Sequence, residues 1–148
     1  MFAEYNTDKF PAVYVTFSGK INSEEEFDGF LQSWLDLYKD QNNFLFIFDT
    51  REMSYPDLKY CFKMAFFIKR LRKEPYHPLQ KSLILVNDNR IKRLLDFVFT
   101  MQSPVAPVYL WLTEETDESI IHQKLLDSDE NDEDIIYIEP NQSLIPFL

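Results

Sequence analysis

Glycine, cysteine and histidine are scarce in this chain of 148 residues, and each shortage excludes a class of site. The two glycines, Gly19 and Gly29, are too few for a GxGxxG or GxxxxGK loop, so the common glycine-rich nucleotide sites are excluded. The single cysteine, Cys61, cannot form an internal disulfide and is consistent with a reducing compartment. With only His77 and His122 beside it, the chain lacks the paired ligands of a structural zinc site.

Long apolar runs are also missing. No run reaches the roughly 18 residues that a membrane-spanning helix needs, and the first ten residues lack the basic and apolar segments of a secretory signal. We therefore expect a cytoplasmic protein with no transmembrane segment. The net charge of −10 argues against nucleic acid as a partner, because phosphate binding depends on an excess of Lys and Arg.

Charge is distributed unevenly along the chain. Residues 58–93 contain ten of the fifteen Lys and Arg residues but only two acidic residues, whereas eleven Asp and Glu and one Lys lie from Thr113 onward. Residues 127–134 (DSDENDED) lack the glycine and the ordered spacing of a calcium loop, so we interpret them as a solvated acidic loop without a metal. The sequence thus has a basic middle and an acidic end.

Hydrophobic periodicity predicts an alternation of strands and helices. Ser23 and Glu26 form a capping box before an amphipathic run, which predicts a helix. FLFIF at 44–48 has no polar alternation, which is typical of a strand covered on both faces. Strands are predicted at 12–17, 44–48, 82–86, 108–112 and 135–138, with an edge strand around 2–6, and further helices at 57–73, 87–101 and from Thr113 or Thr116 to 126.

This order predicts an α/β fold with a mostly parallel or mixed sheet of four or five strands, about four helices, right-handed crossovers and a C-terminal extension. We divide the chain into an α/β domain at 1–126, the acidic loop at 127–134 and a C-terminal strand and tail at 135–148.

Over residues 10–120 the motifs together resemble the STAS domain, the fold of bacterial anti-sigma-factor antagonists. The matching segments are VYVTFSGKI at 13–21, FLFIFD at 44–49, Asp57, LILVN at 83–87 with IKRLL at 91–95, and VYLWL at 108–112 followed by Glu114 and Glu115. In the antagonists, the residue after the Asp that Asp57 matches is a serine whose phosphorylation switches partner binding. Here that residue is Leu58, which has no hydroxyl group.

The resemblance therefore implies a regulatory binding module that has lost its usual switch. Related domains serve anti-sigma kinases, anion-transporter tails and lipid-handling complexes, and a similar-looking fold occurs in CRAL-TRIO lipid carriers, so the family does not identify the partner.

The helix at 57–73 presents an unusual outward face. At 100° per residue its core arc contains Cys61, and the opposite arc contains five Lys and Arg residues together with Phe62 and Phe66. One explanation is that a neighbouring loop or the C-terminal tail, with its segments IIYI and SLIPFL, covers both rings, and that the acidic loop pairs with the lysines. The other is that the rings anchor a partner.

No candidate for catalysis stands out. We expect Cys61 to be a buried, inert thiol and the two histidines to lie at the surface. We expect Asp49 and Asp57 to have structural roles, Asp57 as a helix cap. The sequence predicts neither a catalytic residue nor a bound cofactor or metal.

The leading hypothesis is a non-catalytic interaction module that binds a protein partner or a second copy of itself. Its predicted partner-binding residues are Tyr55, Asp57, Leu58, Lys59, Phe62, Lys63 and Phe66. Two alternatives stay open, an anionic lipid or membrane-surface binding module and an enzyme of unrecognised type.

Overall fold

The computed structural model describes residues 2–140 and contains, within them, six strands and four helices. The strands are β1 (Ala3–Asn6), β2 (Ala12–Gly19), β3 (Phe44–Met53), β4 (Leu79–Val86), β5 (Val108–Leu112) and β6 (Ile135–Ile138). The helices are α1 (Glu24–Lys39), α2 (Leu58–Arg72), α3 (Asn89–Met101) and α4 (Glu118–Asp127). The α/β class is confirmed, although the sheet has six strands where four or five were predicted.

The six strands form one mixed sheet in the order β1-β2-β3-β4-β5-β6. β2, β3, β4 and β5 are parallel neighbours, while β1 pairs antiparallel with β2 and β6 antiparallel with β5. The edge positions predicted for residues 2–6 and 135–138 are therefore confirmed.

The helices divide unequally between the two faces of the sheet. α1, α2 and α3 pack on one face, as successive crossovers of the same hand require, and α4 alone packs on the other. Alternate residues of β3 supply the two cores: Phe46 faces the three helices and Ile47 faces α4. The larger core is strongly aromatic, with Trp34 of α1 packed between Phe46 and Phe67.

The N-terminal ends of the helices agree only in part with those predicted from the sequence. Ser23 caps α1 as predicted, because its hydroxyl accepts a hydrogen bond from the amide of Glu26 at 3.2 Å. Asp57 occupies the N-cap position of α2, but its side chain makes no capping hydrogen bond, so that expected role is wrong. α4 begins after Asp117, not at Thr113 or Thr116, because the Asp117 carboxylate accepts from the amide of Ser119.

The core beneath α1, α2 and α3 is not completely filled. It contains a cavity of about 130 Å³, lined almost entirely by apolar side chains of these helices, of β2 to β5 and of the adjoining loops. Protein interiors contain few voids larger than a water molecule, so this one is a distinctive feature of the fold.

Candidate functional site

The outward side of α2 carries large apolar side chains that remain in contact with solvent. Phe62 is 41% exposed and Phe66 is 57% exposed, and Leu58 at the start of the helix is also exposed. Phe97 of α3, 39% exposed, lies beside them, with its ring centroid 5.9 Å from that of Phe62 in an edge-on arrangement. Two neighbouring helices thus present one continuous aromatic cluster.

Phe97 was missed by the sequence analysis, although a signal for it exists. The core residues of α3 follow the spacing Ile91, Leu94, Leu95 and Val98, and at 100° per residue this leaves Phe97 on a flank of the helix, outside the core face. The same geometry places Arg93 one turn before Phe97 on that side.

Positive charge surrounds this aromatic cluster. α2 contains five Lys and Arg residues and no acidic residue. Two of the five face α1, where the ammonium group of Lys63 lies 2.9 Å from Asp28 and that of Lys59 lies 3.5 Å from Glu24. The hydrogen bond that Lys63 donates to the Asp28 carboxylate raises the pKa of Lys63. The positive charges on the side of α2 next to α1, which form one part of the cationic rim around the aromatic cluster, are therefore balanced by acidic residues of α1.

The other cations of the rim are not paired with an acidic residue within residues 2–140. Within residues 2–140, Lys69, Arg70, Lys73 and Arg93 form no ion pair. Lys69, Arg70 and Lys73 follow Phe66 on the same arc of α2. We call the cluster of Leu58, Phe62, Phe66 and Phe97, together with these four cations, the α2–α3 surface.

The C-terminal strand does not cover these rings. IIYI forms β6 at the far edge of the sheet, beside β5. The acidic lead-in pairs with α4, since Lys124 lies 3.1 Å from Asp132 and 2.8 Å from Asp134. The proposed cover by IIYI and the acidic loop is therefore wrong, and SLIPFL lies outside the described residues.

The other predicted partner-binding residues lie at the start of α2. Tyr55 is exposed in the loop between β3 and α2, and Asp57 is exposed at the N-cap. Lys59 and Lys63 belong to the rim that α1 neutralises. The structure thus brings Leu58, Phe62 and Phe66 together on one surface, with Tyr55 and Asp57 at its end.

The candidates considered for catalysis are engaged elsewhere. Cys61 is buried, and burial raises the pKa of its thiol, which disfavours the reactive thiolate. Asp49 forms a two-point ion pair with Arg51, at 2.9 and 3.0 Å, while Arg51 also donates to the carbonyl oxygens of Thr113 and Glu115.

The two histidines differ in their surroundings. His77 is exposed in the loop before β4. His122 of α4 is only partly exposed; its Nδ1 lies 3.3 Å from the Tyr14 hydroxyl, and the two rings stack. This contact ties α4 to β2.

Residues 2–140 contain no group of three or more His, Cys, Asp and Glu side chains that could hold a metal ion. None of the helices in this part of the chain is both long enough and apolar enough to cross a membrane. Comparisons of the chain with protein-family models, with curated proteins and with solved structures found no match.

Proposed function

We propose that this protein is an interaction module that binds an acidic protein partner through the α2–α3 surface. The observation that carries the proposal is the exposure of Phe62 and Phe66 on a helix that has no acidic residue. Single solvent-exposed phenylalanines are common, but Phe66 lies one helical turn from Phe62, whose ring contacts Phe97 of the adjacent helix. A grouping of this kind is characteristic of a surface that a partner covers.

The aromatic cluster supplies the affinity. Full burial of a phenylalanine contributes about 1.5–3 kcal/mol, and Phe62 and Phe66 are each roughly half exposed, so a partner that covers both gains about that amount in total. Aromatic side chains near the centre of an interface commonly account for most of its binding energy.

The charges select the partner. Lys69, Arg70, Lys73 and Arg93 form no ion pair within residues 2–140, so acidic side chains of a partner would complement them. A symmetric dimer through the same surface would bring two such cationic rims together, which like-charge repulsion disfavours. We therefore favour a different protein over a second copy.

The resemblance to STAS domains supports the location of this surface, because in those domains the start of the second helix faces the partner. It also bears on regulation. Since Leu58 has no hydroxyl group, we propose that binding here proceeds without phosphorylation at that position.

The test begins by replacing Phe66 with a photo-cross-linking amino acid in cells that contain the protein and identifying what it captures. Binding of each purified candidate is then measured by calorimetry to wild type and to Phe62→Ser/Phe66→Ser. We expect the double variant to bind about 30-fold more weakly or worse, equivalent to roughly 2 kcal/mol. Raising the salt concentration should also weaken wild-type binding.

A matched control is Ile120→Ser/Leu126→Ser, which removes two similarly exposed apolar side chains from α4. This control should retain full affinity. Equal losses in both double variants, or no loss in the α2 variant, would refute the proposal.

Two further measurements separate the alternative partners. Light scattering across protein concentration would reveal a dimer, and a dimer that the α2 double variant abolishes would mean that the partner is a second copy. Co-sedimentation with phosphatidylcholine–phosphatidylserine vesicles tests the membrane alternative. Salt-sensitive vesicle binding that is lost in the α2 double variant would mean that the partner is an anionic lipid surface and not a protein.

A further inference from the structure

The cavity beneath α2 has the size of a small-molecule site. At about 130 Å³ it is close to the volume of about 150 Å³ that, in an engineered protein core, stays dry and binds benzene or xenon. It is smaller than the 300–1,000 Å³ of pockets that enclose whole drug-sized ligands. Its occupant is therefore one ring or a short piece of alkyl chain.

The chemistry of the lining is equally restrictive. Nearly all of the cavity surface is apolar. The hydroxyl group of Thr50, one of the few polar groups in the lining, already donates to the carbonyl oxygen of Leu85 at 2.8 Å. A buried water needs two to four polar partners, and polar atoms make up very little of this lining, so water gains little by entering.

Part of the cavity lining reaches the surface at the carboxyl ends of β2 and β3. Of the lining side chains, Ile21, Met53 and Pro56 lie in or beside the loops that follow these strands, and all three retain some exposure. Tyr55 and Leu58, which flank Pro56 in the chain, are exposed. A flexible methionine such as Met53 can move aside to admit a ligand at this end.

We propose that this cavity is a binding site for a small apolar group, either a free molecule the size of benzene or the apolar end of a larger one. The group enters past Ile21, Met53 and Pro56 and packs against the inner side of α2. The site is separate from the α2–α3 surface, because Phe62 and Phe66 point outward and do not line the cavity.

The first test uses benzene as the probe and thermal unfolding of the full chain as the readout. A ligand that binds only the folded state raises Tm saturably, by about 3–6 °C at ten times its dissociation constant. Parallel titration with 1-octanol distinguishes the two sources: a stronger shift with 1-octanol indicates an alkyl end group, and a stronger shift with benzene indicates a ring. Absence of a saturable shift with both would overturn the proposal.

Cavity-filling variants locate the binding. Ala106→Leu and Val98→Leu each add methyl or methylene groups to a residue of the lining. We expect both to fold and to weaken probe binding at least tenfold. Val86→Leu is the control, since Val86 is buried in the same core but does not line the cavity. Its Tm should fall through overpacking while the benzene-induced shift persists. If Ala106→Leu and Val98→Leu leave the benzene-induced Tm shift unchanged, benzene does not bind in this cavity.

Cys61 gives an independent readout, because the only thiol in the chain lines the cavity. Benzene should slow its modification by methyl methanethiolsulfonate, a small uncharged reagent, when the reaction is followed by intact mass. The fillers should abolish that protection. Unchanged modification rates at a benzene concentration that saturates the thermal shift would show that benzene binds elsewhere.

Discussion

Leu125 and Leu126 provide a direct test of the two-sided architecture. The two leucines are adjacent on α4, but Leu125 is fully buried against the sheet and Leu126 is 52% exposed. Because α4 is the one helix that covers its face of the sheet within residues 2–140, its attachment depends on few side chains. Leu125→Ala should therefore destabilise the protein strongly, and Leu126→Ala should not.

The magnitude follows from the burial. A buried Leu→Ala change costs about 2–5 kcal/mol, through lost transfer energy and the cavity that remains. The cost at Leu125 should lie in the upper half of that range, since Ile121 is the other buried residue of α4 and cannot fill the space alone. At about 2–4 °C per kcal/mol for a protein of this size, Tm should fall by roughly 7–20 °C. An exposed Leu→Ala change stays within about 0.5 kcal/mol.

Urea denaturation of both variants, followed by circular dichroism, measures the difference. We expect an unchanged denaturant dependence and a lower midpoint for Leu125→Ala alone. If the two variants have equal midpoints, or if Leu126→Ala is the less stable, α4 does not pack on the sheet through Leu125.

Three further predictions concern polar contacts. Arg51→Met leaves the partly buried carboxylate of Asp49 without its partner and should cost about 1–3 kcal/mol in urea denaturation, less than the loss from a fully buried pair; full stability would refute the ion pair. Ser23→Ala should cost about 1 kcal/mol because it removes a capping hydrogen bond, while Asp57→Ala should cost less than 0.5 kcal/mol; the reverse order would contradict the cap geometry. Hydrogen bonds donated by Ser119 lower the pKa of the Asp117 carboxyl below its ordinary value of 3.8. The ionised carboxylate therefore stabilises the folded protein at pH values above 3.8. This stabilisation is lost as the pH falls through the lower pKa of the folded state. Asp117→Asn should therefore lose less Tm than wild type between pH 5 and pH 2, and identical pH profiles would refute this role.

The elements with local signals were predictable. The capping box and the amphipathic pattern locate α1, and the apolar run VYLWL has the bounds of β5. β3 extends five residues past its predicted end, to Met53. Its polar continuation is held by contacts with distant residues, such as the hydrogen bond from Thr50 to Leu85, which no local pattern reveals.

The candidate site was predictable for one helix only. The periodicity of α2 identifies Phe62 and Phe66 as outward-facing, and the structure leaves both exposed. The pairing of Phe62 with Phe97 depends on how α2 and α3 pack. The cavity depends on how three helices and four strands fail to fill the space between them, which is a tertiary property with no sequence period.

The two antiparallel edge strands have a consequence for solubility. A parallel sheet with long, apolar outer strands would offer unpaired amide and carbonyl groups to other chains, which promotes aggregation. Here β2, with eight residues, is covered by β1, and β5 is covered by β6, and each covering strand has only four residues. Both edges of the sheet are therefore short strands, which offer few unpaired backbone groups to another chain. Loss of β1 or β6 would make β2 or β5 the edge strand, and we expect that change to promote aggregation.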